Sequence, residues 1–203
     1  MAEYDRAELE QMVERWLEAN RRAEQAGDWV THLGPMYTDD AEYSWNIGPE
    51  EEFVAHGRRE IEELAIGFQM AGFEEWEYPY HDIIIDEKRG TVIGFWQQVG
   101  PGRRADGSRY VIPGIGGSWF EYGGNGQWRW QRDFFAFGNA KATFFERAGA
   151  GLLNPIIKQK LHRQARGELA ETEEMLSDAA ADPEMTALAR EEQASLSERI
   201  EEI

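Results

Sequence analysis

SWFEYGGNGQWRWQRDFFAF, Ser118 to Phe137, reads as two strands joined by a tight turn. Trp119, Phe120 and Tyr122 supply strand-favouring side chains before the turn, and Trp128, Trp130, Phe134, Phe135 and Phe137 after it. Between them Gly123-Gly124-Asn125-Gly126 tolerates the positive φ angles that a hairpin turn needs. Strand side chains alternate, so Arg129, Gln131, Asp133 and Phe135 are predicted on one face, and Trp128, Trp130, Arg132 and Phe134 on the other. One carboxylate, Asp133, therefore lies in an aromatic setting. An unpaired buried charge is costly, so Asp133 is either paired, with Arg129, Arg132 or a partner elsewhere, or it works on a ligand.

Working outward, Gly116-Gly117 is expected to bulge or bend a strand that starts at Ser108. Glu75 to Asp86 and Gly90 to Val99 read as two long strands, and Gly100 to Gly107 as a loop. Arg103-Arg104-Ala105-Asp106 within it reads as a solvated turn or as a rim. Toward the N-terminus, residues 58–71 carry an amphipathic stripe of Ile61, Leu64, Ala65 and Phe68, with Gly72 as its cap. Gly48-Pro49 and Glu50-Glu51-Glu52 read as a solvated loop, and Ala41 to Ile47 as a strand with Tyr43 and Trp45 on one face. Residues 5–24 form a helix opened by a capping-box pair, Asp5 and Glu8. Beyond Gly138 helix returns, over Ala140 to Ala150 and Ile156 to Arg166. Residues 168–203 hold twelve acidic and two basic residues. That run is a solvated helix or a helix that packs on a neighbouring subunit.

The chain has 203 residues and a formal charge of −18, which argues against nucleic acid or an anionic membrane as partner. Cysteine is absent, so disulfides, thiolate metal sites and cysteine nucleophiles are excluded. No apolar run reaches a membrane span, and the polar start MAEYDRAELEQ is no signal peptide, so a soluble cytoplasmic protein is expected. His32, His56, His81 and His162 are scattered without metal-ligand spacing, and no phosphate loop is formed. Acid–base chemistry without a cofactor remains.

The order of elements predicts an α+β fold, helices on one face of a curved antiparallel sheet, with helices added at the C-terminus. Three blocks then resemble a known family: Met36-Tyr37-Thr38-Asp39-Asp40-Ala41-Glu42-Tyr43, Gly57-Arg58-Arg59-Glu60-Ile61, and Trp130-Gln131-Arg132-Asp133-Phe134-Phe135. In that order they resemble the nuclear transport factor 2-like superfamily, most of all its SnoaL-like branch. The resemblance implies that residues 1–137 form a cone-shaped sheet closed by helices, with a pocket at its open end, and that 138–203 are a helical extension.

Relatives in that superfamily include ketosteroid isomerase, scytalone dehydratase, limonene epoxide hydrolase, polyketide cyclases and binding proteins. Tyr43 and Asp133 match a tyrosine and an aspartate of limonene epoxide hydrolase. Trp96 and Gln98 stand where its arginine and middle aspartate stand, and Trp45 where its asparagine stands. The resemblance thus implies a cofactor-independent lyase, by dehydration or formaldehyde release, or an isomerase. Its substrate is expected to be a bulky hydroxylated aromatic or polycyclic molecule. Asp133 and His81 are the candidate proton carriers, with Tyr43 as a hydroxyl donor. Tyr78 and Tyr80 would orient substrate oxygens, and Trp45, Trp96, Gln98 and Trp119 would line the pocket. Each has a plainer reading as core, interface or satisfied polar side chain. The alternatives are a ligand-binding protein without chemistry, a polyketide cyclase-like enzyme, and an assembly module, and a homo-oligomer, dimer or trimer, is expected.

Overall fold

The computed structural model describes residues 4–46 and 52–163, with 194 and 198. The acidic run 168–203 lies outside the described residues apart from those two positions, as do 47–51. The chain divides into two compact units, Met1–Ala140 and Lys141–Ile203.

In the first unit, helix α1 spans Arg6–Ala26. Asp5 caps it by accepting the Ala7 N–H, and Gly27 ends it at φ 63°. Glu8 does not close the expected capping box. Its carboxylate instead receives the Tyr122 hydroxyl at 2.7 Å, which ties α1 to the sheet. A short helix α2, Trp29–Leu33, and a tight turn at Gly34–Met36 lead into strand β1, Tyr37–Asn46. Strand β2, Glu52–His56, follows where a loop was expected at Glu52.

Helix α3, Gly57–Glu60, continues as a π-helix over Ile61–Phe68. This corrects the predicted stripe. In the wider turn the inward positions fall four and five residues apart, so Ile61, Ala65 and Ile66 are buried. Leu64 and Phe68 are left 42% and 51% exposed.

Strands β3 (Tyr80–Asp86), β4 (Thr91–Trp96), β7 (Gly116–Gly124) and β8 (Gln127–Phe135) join β1 and β2 in one curved sheet of order β2-β1-β8-β7-β4-β3. The β1–β8 pair is parallel and the others are antiparallel. Residues expected to loop or to extend one strand form instead a separate hairpin, β5 (Val99–Arg103) and β6 (Arg109–Val111). Arg104 lies over the Tyr110 ring there, 4.7 Å from its centroid.

The central hairpin turns as its glycines predict, with Gly124, Asn125 and Gly126 at positive φ. Its faces differ from simple alternation. The register slips between Glu121 and Tyr122, so Glu121 faces Trp130 while Tyr122 faces Trp128. The extra residue puts Trp128 on the same side as Gln131 and Asp133. Gly116 and Gly117 cause no bulge, since their pairing with Phe135 and Phe134 is regular. They clear space instead: a Cβ on Gly116 would lie 2.8 Å from the Trp96 ring.

The core fills the concave side of the sheet under α1. Trp128 is fully buried, stacked on Phe120 with centroids 4.7 Å apart, and Trp16 meets Phe120, Trp128 and Tyr37 edge-on. In the second unit, the end of helix α4 (Phe137–Gly149) is followed by a helical run over 155–163. There the Arg147 guanidinium donates to the Leu152 carbonyl at 2.8 Å.

Candidate functional site

Strand β8 carries Asp133 to the end of the sheet opposite the hairpin turn. The register sets Trp45 beside Asp133 and Tyr43 beside Gln131 on β1, and Ser118 beside Asp133 on β7. These side chains point to the concave side. The Tyr43 hydroxyl donates to Asp133 Oδ2 at 2.5 Å. Ser118 Oγ and Gln131 Nε2 donate to Oδ1 at 2.6 and 2.8 Å. Arg129 and Arg132 do not reach it. Arg129 pairs with Glu121, and Arg132 with Glu52. Among the described residues Asp133 has no ion pair.

A second layer fixes these donors. Tyr37 donates its hydroxyl to Gln131 Oε1 at 2.5 Å, which turns the amide nitrogen toward Asp133. Trp96 Nε1 donates to Ser118 Oγ at 2.9 Å, so the serine proton is free to go to the carboxylate. Trp16 Nε1 donates to the Tyr80 hydroxyl at 3.1 Å, and Gln98 Nε2 to the Tyr78 hydroxyl at 3.3 Å. Sequence reasoning missed Ser118, Gln131 and Tyr37 as parts of the site. The signal for Gln131 was its place two residues before Asp133.

Burial pushes the Asp133 carboxyl above its ordinary value, against the pull of its three donors. Burial, with the Asp133 charge next, holds Tyr37 and Tyr43 well above theirs. Burial raises Tyr78 and Tyr80 too. These tyrosines stay neutral near pH 7, so they donate hydrogen bonds rather than take protons.

Of the residues singled out in the sequence, Asp133, Tyr43, Trp45, Tyr78, Tyr80, Trp96 and Gln98 gather on this side. Trp45 stacks on Phe53 with centroids 3.9 Å apart, and Tyr78 meets Trp96 edge-on at 5.9 Å. Beside them a narrow crevice is lined by Trp96, Gln98, Ile112, Ile115, Gly116 and Phe135. Asp133, Tyr78, Tyr80 and Gln98 each keep part of their surface open.

Two candidates lie elsewhere. The register slips between Tyr80 and Asp82, which makes His81 the extra residue of a bulge. It is exposed and stacks on Phe95, on the convex face. Trp119 alternates with the buried Ser118 and Phe120, so it too points to the convex face. It is 43% exposed there, edge-on to Trp130.

The raised Asp133 carboxyl gives a signed pH effect. A native state that holds a proton more tightly than the unfolded chain is favoured at low pH. That stability is full below the unfolded value, about pH 4. It is lost as pH rises through the higher native value. The melting temperature of Asp133→Asn relative to wild type should therefore climb with pH across this window. A difference that stays flat with pH would show that the carboxyl is not raised.

No family model matches the chain, and no curated protein matches it. Solved structures do match. A phenazine biosynthesis-related protein from Pseudomonas aeruginosa superposes with a TM-score of 0.53 at 14% identity, covering 70% of this chain and 86% of that one. A protein assigned to the SnoaL-like polyketide cyclases, from Jannaschia Sp. CCS1, gives 0.50 at 12% identity, over 69% and 96%. An NTF2-like protein from Anabaena variabilis gives 0.50 at 16%, over 67% and 95%. With its curved six-stranded sheet and its N-terminal helices, the chain has the nuclear transport factor 2-like fold.

Proposed function

We propose that the protein is a cofactor-independent enzyme that moves a proton on a neutral, hydroxylated aromatic or polycyclic small molecule, as a lyase or an isomerase of the SnoaL-like kind. The observation that carries this reading is Asp133. It is the carboxylate of a partly exposed residue, pushed up by burial and held, among the described residues, by three uncharged donors. Such a group shuttles protons near neutral pH better than an ordinary aspartate does. The names of the phenazine-related and cyclase-assigned neighbours point to small-molecule conversion as well.

In the lyase form, Asp133 takes the proton from a carbon next to the one that bears a hydroxyl. The carbon–oxygen bond then breaks, a double bond forms, and the same carboxyl returns the proton to the departing oxygen as water. In the formaldehyde-releasing form, the proton comes from a hydroxymethyl oxygen and a carbon–carbon bond breaks in place of the carbon–hydrogen bond. In the isomerase form, the proton returns to another carbon. As Asp133 takes up the proton, the neutral Tyr43 hydroxyl gives up its bond to Oδ2 and turns its one proton to the developing oxyanion.

The test is incubation of purified protein, without added metal or cofactor, with hydroxylated lignin dimers, polyketides and steroids. Products are followed by mass and chromatography. Loss of water or formaldehyde, or an isomer, is the expected result. Binding without any product would overturn the enzyme reading in favour of a ligand carrier. Among the described residues no helix is long and apolar enough to cross a membrane.

The convex face carries a second proposal, association of two copies. Ile93, Phe95, Trp119, Trp130 and Phe134 lie there, and Ile84 is 54% exposed. Arg129 pairs there with Glu121 and Arg132 with Glu52, and Asp82 lies on the edge strand opposite Phe95. In a chain of charge −18, two copies meet with less repulsion at this largely apolar surface than across acidic ones. Wild type is expected to scatter light as a multiple of 23.3 kDa, and Trp119→Glu as a single chain. Equal masses would place the contact elsewhere.

A further inference from the structure

With His81 on the convex face, Asp133 is left as the proton carrier proposed for the concave side. A second carboxylate reaches the same end of the sheet from α1. Near its start, Glu8 meets Tyr122 beside the hairpin turn. Halfway along, Trp16 meets Tyr80. The helix thus runs alongside β8, away from the turn. From Glu8 to Glu24 it advances about 24 Å at 1.5 Å per residue. From Trp128 to Phe135 the strand advances about 23 Å at 3.3 Å per residue. Glu24 is therefore carried toward the end of the sheet that holds Asp133.

Glu24 is half-buried, and its Oε1 accepts the backbone N–H of Tyr78 at 2.7 Å. Its other oxygen accepts no hydrogen bond among the described residues. Among the described residues no cation is paired with it: Arg21, whose charge pulls its carboxyl down, is held by Glu18, and Arg109 by Glu77. Burial, with the neighbouring Glu77 charge, lifts the Glu24 carboxyl, and the hydrogen bond from Tyr78 opposes this. Contacts link the two carboxylates: Tyr78 donates its N–H to Glu24 and packs on Trp96, and Trp96 donates to Ser118, which donates to Asp133. The wall between them is aromatic. Tyr78 stands edge-on to Trp29 at 6.3 Å and to Trp96 at 5.9 Å.

We propose that Glu24 is a second binding station of this site, accepting a hydrogen bond from a hydroxyl at the far end of an elongated ligand whose near end meets Asp133. This rests on the proposed function and narrows its substrate class. Two acceptor carboxylates, an aromatic wall between them and no cation on either select a neutral molecule with a hydroxyl at each end. They reject one that ends in a carboxylate, which Glu24 would repel.

Three rigid probes test this: para,para′-dihydroxybiphenyl, para-hydroxybiphenyl, and para-hydroxybiphenyl bearing a carboxylate at the far end. Binding is followed by quenching of tryptophan fluorescence. Wild type is expected to bind the dihydroxy probe about tenfold more tightly than the monohydroxy probe, the size of one charge-assisted hydrogen bond, and the carboxylate probe most weakly. Glu24→Gln keeps an oxygen for the Tyr78 N–H, so it should fold. It should lose most of the dihydroxy preference and gain affinity for the carboxylate probe. An unchanged preference in a folded Glu24→Gln would overturn the proposal, even where Asp133→Asn still abolishes turnover and the enzyme reading stands. Wild-type binding of none of the probes would overturn it as well. Failure of the enzyme reading has a different signature, normal probe discrimination with no product from any substrate.

Discussion

Asp133→Asn is expected to lower turnover by about 10²–10⁴-fold, the usual contribution of a positioned acid–base group, while ligand binding persists. The substitution keeps the size and planarity of the side chain. It removes proton transfer near neutral pH. It also replaces one acceptor oxygen by a donor; with the amide oxygen in the place of Oδ1, Ser118 and Gln131 keep their acceptor and Tyr43 loses its own. The stability cost of one such loss is about 1–3 kcal/mol. Relief of the charge's desolvation offsets part of it above the native pKa. The melting temperature should therefore move little near pH 7. Steady-state kinetics and a thermal melt on the same preparation separate the cases. A folded variant that binds but does not turn over supports proton transfer at Asp133. A folded variant with full turnover would remove Asp133 from the chemistry. An unfolded variant would show that the carboxylate serves the fold, and Tyr43→Phe would then carry the test, because it removes a single donor and no charge.

The sequence exposed the central hairpin because its turn needs positive φ and its flanks are dense in aromatics. Both signals are local, and Gly124, Asn125 and Gly126 answer to them. Asp133 was legible for the same reason, as a lone carboxylate among rings. What failed was alternation across irregularities. A register slip in β7–β8 moved Trp128 to the concave side, and another in β3 turned His81 outward. No local pattern marks a bulge, since its position depends on what the partner strand can pack. The π-helix escaped similarly, because a stripe at α-spacing fits Ile61, Leu64, Ala65 and Phe68 as well as any real α-helix would. Strand β2 has only the short apolar run Phe53-Val54-Ala55 behind a glutamate run, and β5 lies in a stretch of Gly, Pro and Arg, so neither announces a strand clearly. Glu24 reads in sequence as one more acidic residue on a helix surface. Only the course of α1 along β8 takes it to Tyr78.

Trp128→Ala carries the largest expected stability loss, about 3–5 kcal/mol for removing a buried large aromatic. The indole is fully buried, stacked on Phe120, and touched edge-on by Trp16 and Tyr122. These rings join α1 to the two strands of the central hairpin, so the cavity would open where helix and sheet meet. Against a typical domain stability of about 5–15 kcal/mol, the loss is a third or more for most of that range. Trp128→Phe separates packing from polarity. The indole N–H finds no acceptor among the described residues, so phenylalanine removes an unpaired buried donor together with part of the volume. Its cost should be well under half that of the alanine variant. Urea unfolding followed by circular dichroism reads both, with the slope of the transition checked for constancy. A Phe variant as unstable as the Ala variant would mean that the N–H does have a partner, an ordered water or a ring face, and that Trp128 is held by polarity as well as by packing. A small loss in the Ala variant would mean that the rings around it close the gap. It would also show that the slipped register of the hairpin, which brings Trp128 inward, adds little to the stability of the fold.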